Sequence, residues 1–158
     1  MVVAGTAVLS VFSGVGAASV GRRNVLDGVV ENAVRAKRPF RTWTEGRVKV
    51  GSTRLRIVIA DDGNEQVQGL RERRNIGPYD AMLFAYDAPT ATAFTMSTVP
   101  VPLDIGFYDA RGRRVDKLRM EPCDGSDADC PLYSADGEFT YALETLAGDL
   151  PKGRLRPR

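Results

Sequence analysis

Histidine is absent from the 158-residue sequence. Its absence excludes Ser-His-Asp and Cys-His catalysis and every His-liganded zinc, iron or copper site. Cysteine occurs twice and tryptophan once, so a structural zinc site cannot find four Cys or His ligands. Charge of one sign is lacking too. Lys and Arg number 22 against 20 Asp and Glu, a formal net charge of +2, too close to neutral to imply a polyanionic partner. There is no internal repeat and no low-complexity tract. What remains is a globular composition, 43% hydrophobic and 27% charged, of a length for one domain with extensions. Sixteen Gly and nine Pro with little long-range helical periodicity point to a strand-and-turn protein.

Met1 to Val20 carries no charged side chain. A secretory signal peptide fits its length, and Val15-Gly16-Ala17 resembles a small-residue cleavage site, although the usual basic n-region is missing. A retained membrane anchor is the alternative, weakened by the many Gly, Ala and Ser. Arg22 and Arg23 sit awkwardly for export. Gly14-Val15-Gly16-Ala17 echoes a nucleotide-binding turn, but no βαβ unit follows it. Residues 1–23 are therefore read as a signal peptide or anchor, and the protein as extracytoplasmic, secreted or membrane-anchored.

Residues 24–45 read as a short amphipathic helix, Asn24 to Lys37, and a linker. Asn24 can cap the helix, Asp27 suits its first turn, and Arg35 and Lys37 suit its last. Val25, Leu26, Val29, Val30, Ala33 and Val34 form its apolar stripe. From Gly46 the period becomes alternating. Val48 and Val50, then Gly51-Ser52, then Leu55, Ile57 and Ile59 predict a hairpin with one buried face. Asp62 and Glu65 have capping-box spacing for a short helix with Val67 and Leu70 on its inner side. Further strands are expected at Met82–Tyr86, Ala93–Ser97, Leu103–Tyr108, Arg113–Met120 and Glu138–Leu146. The expected fold is mainly β: a compact sandwich, jelly-roll-like or barrel-like domain over 46–148, with one short helix and a basic tail at 149–158.

Cys123 and Cys130 lie seven apart in a loop rich in Asp and Gly. That spacing is too long for a Cys-x-x-Cys redox pair, and a structural disulfide is the natural reading for an exported protein. Glu121, Asp124, Asp127, Asp129 and Asp136 raise the question of calcium. Pro131 and Leu132 fall where an EF-type loop needs an oxygen ligand and a glycine, so a solvated acidic loop is expected, with no metal and no cofactor. The basic stretches lack the aromatic interleaving of a single-strand nucleic-acid binder, and no nucleic-acid partner is expected.

Three local features can carry chemistry. Gln68-Gly69-Leu70-Arg71-Glu72-Arg73 places a glycine suited to positive φ beside arginines that can grip a carboxylate. Asp104 lies among apolar residues at a strand start, where a carboxylate must be paired, hydrogen-bonded or shifted in pKa. Glu121 follows a strand into the cysteine loop. A glycosidase-type pair, Asp104 with Glu121, competes with a structural pairing of Asp104 to Arg71 or Arg73 that pins the helix to the sheet.

At these residues the chain resembles the domain-of-unknown-function family 192, also called uncharacterised protein family 0127. The resemblance rests on Ile59-Ala60-Asp61, Gln68-Gly69-Leu70 with Arg73, and Gly77-Pro78-Tyr79-Asp80-Ala81-Met82-Leu83-Phe84. It continues through Phe94, Met96, Pro102-Leu103-Asp104-Ile105, Met120-Glu121-Pro122-Cys123, Cys130-Pro131-Leu132-Tyr133 and Tyr141-Ala142-Leu143-Glu144. It covers roughly residues 47–148. It implies a mainly β domain, often behind a signal peptide or anchor, and brings no established activity. Where the family often reads Phe-Trp-Met-Lys-Asn-Thr, this chain has Phe94-Thr95-Met96-Ser97-Thr98-Val99, so an aromatic surface and a cation are lost there.

The functional expectation is a non-enzymatic extracytoplasmic module for a small ligand or protein partner. Its candidate site is Arg71, Arg73, Met96, Asp104 and Glu121. The alternatives are a carbohydrate-active hydrolase using the two carboxylates, and a membrane-apposed structural protein using the 24–37 helix.

Overall fold

The computed structural model describes residues 29–156. The apolar segment 1–20 and the first residues of the expected 24–37 helix lie outside them. In chain order the elements are β1 (Glu31–Arg35), β2 (Thr44–Val50), β3 (Thr53–Ala60), α1 (Gly63–Gln68), β4 (Ala81–Thr90) and β5 (Phe94–Thr95). There follow β6 (Leu103–Tyr108), β7 (Arg114–Met120), β8 (Leu132–Tyr133), β9 (Phe139–Leu146) and β10 (Leu155–Arg156). The fold is mainly β with one short helix, as the sequence predicts.

The main sheet runs β1-β2-β3-β4-β9-β6-β7, with β10 joined to β2, while β5 and β8 pair separately. Its path ends at β1 and β7 without closing, which sets the barrel-like alternative aside. The β2–β3 hairpin forms where the alternation predicts it, from Thr44↔Ile59 to Val50↔Thr53. β3 and β4 are parallel, Ile57↔Ala81 to Ala60↔Phe84. Parallel neighbours need a crossover, and α1 lies in that crossover. β9 sits between β4 and β6, antiparallel to both.

The expected single buried face of the hairpin understates the burial. Val58 and Ala60 are as buried as Ile57 and Ile59, because the sheet has a hydrophobic cluster on each side. One holds Val58, Ala60, Met82, Phe84, Phe94, Met96, Leu103, Ile105, Phe107, Phe139 and Ala142. The other holds Val48, Val50, Leu55, Ile57, Ile59, Leu83, Tyr108, Tyr141, Leu143 and Leu155. Strands covered on both faces read as continuous apolar runs rather than alternating ones, as Ile57-Val58-Ile59-Ala60 and Ala81-Met82-Leu83-Phe84-Ala85 do.

Two N- and C-terminal expectations are corrected. Within the described residues, Glu31–Arg35 is a strand, not the second half of a helix. It takes the free edge of β2, with Val34 opposite Glu45 and Arg35 opposite Thr44. Pairing with an open edge satisfies more backbone groups than one isolated helical turn can, and overrides local propensity. The tail likewise is not only a basic extension. Leu155 is fully buried and pairs with Val50, and its N–H donates to the Gly112 carbonyl at 2.9 Å. Gly112 has φ +70°, and a Cβ there would stand 1.8 Å from the Leu155 carbonyl oxygen. Gly112→Ala is therefore expected to cost about 1–2 kcal/mol from φ alone, plus the displacement of β10. A urea melt unchanged from wild type would contradict that seating.

Candidate functional site

α1 begins where the capping spacing places it. The Asp62 side chain accepts the N–H groups of Asn64 and Glu65, each at 2.9 Å. Glu65 reaches back to the Asp61 N–H at 3.2 Å. Burial, with the charges of Asp62 and Asp61 added, raises the Glu65 carboxyl to about 7 against that hydrogen bond. Gly69 ends the helix at φ +45°, the positive φ for which the sequence selects glycine. The helix is too short for a full apolar stripe: Leu70 beyond it is buried, but Val67 is 71% exposed, so the inward placing of Val67 is corrected. The Gln66 amide donates to the Ala85 carbonyl at 3.0 Å and ties α1 to β4.

Between α1, β4, the 92–95 segment and the cysteine loop lies a pocket of about 360 Å³. Leu70, Phe84, Phe94 and Val99 give it apolar walls, and Gln66, Tyr86, Thr92, Thr95, Arg71 and Asp127 its polar groups. Glu144 of β9 also lines it. This glutamate is 5% exposed, on a central strand between Met82 of β4 and Ile105 of β6. Among the described residues nothing donates a hydrogen bond to its carboxyl. Burial raises it to about 8, so at neutral pH it is mostly the uncharged acid. Tyr86 is pushed up from the ordinary phenol value, first by burial and then by the Glu144 charge.

Arg71 closes one side of the pocket with three of its five N–H groups engaged within the protein. Its Nε donates to the Val67 carbonyl at 3.0 Å, one terminal nitrogen to the Ser97 carbonyl at 3.0 Å, and the other to Asp127 at 2.6 Å. The last contact joins α1 to the cysteine loop. Cys123 and Cys130 form a disulfide, as the sequence predicts. The Thr98 N–H donates to the Cys123 carbonyl and the Ser97 hydroxyl to the Gly125 carbonyl, each at 2.8 Å. Reducing the disulfide is expected to cost roughly 2.5 kcal/mol on the loop-entropy relation, a fall in Tm of several degrees. Coincident melts of oxidised and reduced protein would contradict this.

The five residues singled out from sequence do not form one site. Arg71 lines the pocket, and Met96 is fully buried in the cluster beneath it. Arg73 lays its guanidinium over the Phe40 ring, 4.4 Å from the centroid, away from any carboxylate the structure gives it. Asp104 meets Arg119 at 2.5 Å and accepts the Gly148 N–H at 2.7 Å. The structural partner expected from sequence, Arg71 or Arg73, is thus corrected to Arg119, which stands directly opposite Asp104 across β6 and β7. Arg119 holds the Asp104 carboxyl below the usual carboxylate range. A hydrolytic general acid needs the opposite shift. Glu121 is exposed, and its N–H donates to the Tyr133 hydroxyl at 3.1 Å. Asp104→Asn is accordingly expected to lose about 1 kcal/mol of stability while leaving the pocket intact.

Sequence reasoning passed over Glu144, Tyr86 and Phe84 as site residues. The signal was present: in Tyr141-Ala142-Leu143-Glu144-Thr145-Leu146 the glutamate shares a face with Ala142 and Leu146, so alternation places a carboxylate on an apolar surface.

The family model for DUF192, described as "Uncharacterized ACR", matches residues 46–157. Among solved structures the chain is similar to a protein of unknown function from Novosphingobium aromaticivorans DSM 12444. That pair has 27% identity and a TM-score of 0.60, over 75% of this chain and 84% of the other. It also resembles a protein described as a putative transcription regulator from Sinorhizobium meliloti 1021, at 24% identity and a TM-score of 0.55, over 65% and 79% of the two chains. The second likeness concerns the fold alone. No curated protein matches the chain.

Proposed function

The chain belongs to DUF192, a family of unknown function, and we propose that this member is a non-enzymatic module that binds a small ligand in the α1–β4 pocket. The observation that carries the reading is a cavity of about 360 Å³ with a buried, unpartnered carboxyl, Glu144, in its lining. Small-molecule sites commonly measure ~300–1,000 Å³, and this cavity falls in that range with a lining shared about equally between polar and apolar groups. A buried polar group without a partner costs stability, and a ligand that supplies one recovers it. The proposed setting is extracytoplasmic, supported by the Cys123–Cys130 disulfide. The hydrolase alternative loses its support with the Asp104–Arg119 pair. The membrane-apposed alternative loses the described half of its helix to β1.

Thr95 lines the pocket, and Thr95→Trp fills it with a bulky ring. A thermal-shift panel of small organic molecules on the oxidised chain is expected to give hits that Thr95→Trp removes while still unfolding cooperatively, at a melting temperature lowered by loss of the Thr95 hydroxyl that accepts the Ser97 N–H. A ligand at a hundred times its Kd adds about 2.7 kcal/mol, several degrees in a domain this size. Hits that survive the substitution unchanged would move binding away from this pocket.

A further inference from the structure

Resting on that pocket, we infer that its ligand class is a compact organic cation, a primary ammonium on a short apolar body, with the ammonium on the Glu144 carboxylate. The charged and titratable groups around the cavity select the sign. Arg71 on the α1 side has its charge neutralised by Asp127 of the cysteine loop at 2.6 Å, and two more of its five N–H groups donate to the Val67 and Ser97 carbonyls. No cation in the lining is thus left over for an anionic ligand. Glu144 from β9 and Tyr86 from β4 are the other titratable groups there, and the neighbours of Glu144 across the sheet, Met82 and Ile105, are apolar.

The walls suit the same class. Phe84 and Phe94 meet edge to face with centroids 5.1 Å apart, and Tyr86 lies edge to face on Phe139 at 5.7 Å. Aromatic rings accept alkyl chains, and their faces attract organic cations. An inorganic cation has no comparable site, since no cluster of three or more metal-ligating side chains occurs among the described residues. Binding carries a definite proton balance. The neutral Glu144 acid gives its proton to solvent, and the resulting carboxylate accepts hydrogen bonds from the incoming ammonium, which keeps its own three protons. Each cation bound therefore releases one proton wherever Glu144 starts protonated. Affinity rises about tenfold per pH unit until Glu144 ionises unaided.

The test uses the full oxidised chain and three probes of one size: n-butylammonium, butan-1-ol and butyrate. Protein NMR follows Phe84, Tyr86, Phe94 and Glu144, and an indicator dye follows proton release. Butylammonium is expected to shift these four residues and release one proton per molecule bound below the Glu144 transition. It should tighten about tenfold per pH unit and bind at least tenfold more weakly to Glu144→Gln. Asp104→Asn, outside the pocket, should bind as wild type does. The proton count and pH slope come from the wild-type protein and do not depend on how any variant folds. If butan-1-ol or butyrate shifts the four residues and butylammonium does not, the cation assignment is overturned while the pocket stands. If none of the three shifts them, both are overturned.

Discussion

Glu144→Gln flattens the pH dependence of stability. Burial raises the folded-state carboxyl from an ordinary value of 4.5 to about 8. Between those values the folded chain holds a proton that the unfolded chain has released. The contribution to stability is therefore complete below the unfolded value and is lost as pH rises through the folded one. At ~1.36 kcal/mol per unit the loss is roughly 4–5 kcal/mol across the window. Glu65, raised to about 7, contributes in the same direction and less, because it is more open to solvent. Asp104, Asp109, Asp127 and Glu45 are lowered. Their stabilisation is lost on acidification below the ordinary carboxylate range, so they do not shape the neutral window. Urea unfolding across that window is expected to show a steep decline for wild type and a shallow one, left by Glu65, for Glu144→Gln. Equal slopes would mean that the carboxyl is solvated or paired in solution.

Phe107→Ala is expected to destabilise the protein strongly. Phe107 is fully buried, with its ring centroid 4.8 Å from that of Phe139 and 5.7 Å from that of Phe94. Phe94 in turn meets Phe84, and Phe139 meets Tyr86, at 5.1 and 5.7 Å. The cluster thus supports the rings that face the pocket. Truncating a buried Phe costs ~3–5 kcal/mol, from lost transfer energy and the cavity left behind. Phe107→Leu, which leaves a smaller void, should lose markedly less. A loss below about 1 kcal/mol for Phe107→Ala would show that the neighbouring rings close the gap, and the close-packed support described here would be wrong.

The elements legible in the sequence are those whose pattern answers to burial close to the chain itself. β6 spans the expected Leu103–Tyr108, and β7 and β9 begin one residue late. β6 and β9 are apolar runs that stop at Asp109 and before Gly148, and in β7 Leu118 and Met120 alternate with charged residues up to Glu121-Pro122. Asp62 and Glu65 locate α1 because capping is local. β1, β8 and β10 escape this kind of reading. Their stability comes from edges supplied by distant segments, β2 for two of them and β5 for the third, and strands this short or charged have no period of their own. The site divides in the same way. Gly69 and the disulfide are local and were legible. The sequence shows that Asp104 is a carboxylate that must find a partner, but Arg119 is its partner only through the β6–β7 register. For Glu144, only the order β4-β9-β6 shows that its strand is central, and its side chain is buried there with apolar neighbours on both sides.

The most direct measurement is the ionisation of the Glu144 carboxyl itself, followed by carbon-13 NMR in the oxidised chain with and without saturating n-butylammonium. The expected midpoint is near 8 for the free protein, drawn downwards when the cation binds, because the ligand stabilises the charged form. A midpoint near the ordinary 4.5, unmoved by the cation, would contradict both the burial of the Glu144 carboxyl and the assignment of the pocket to a cationic ligand.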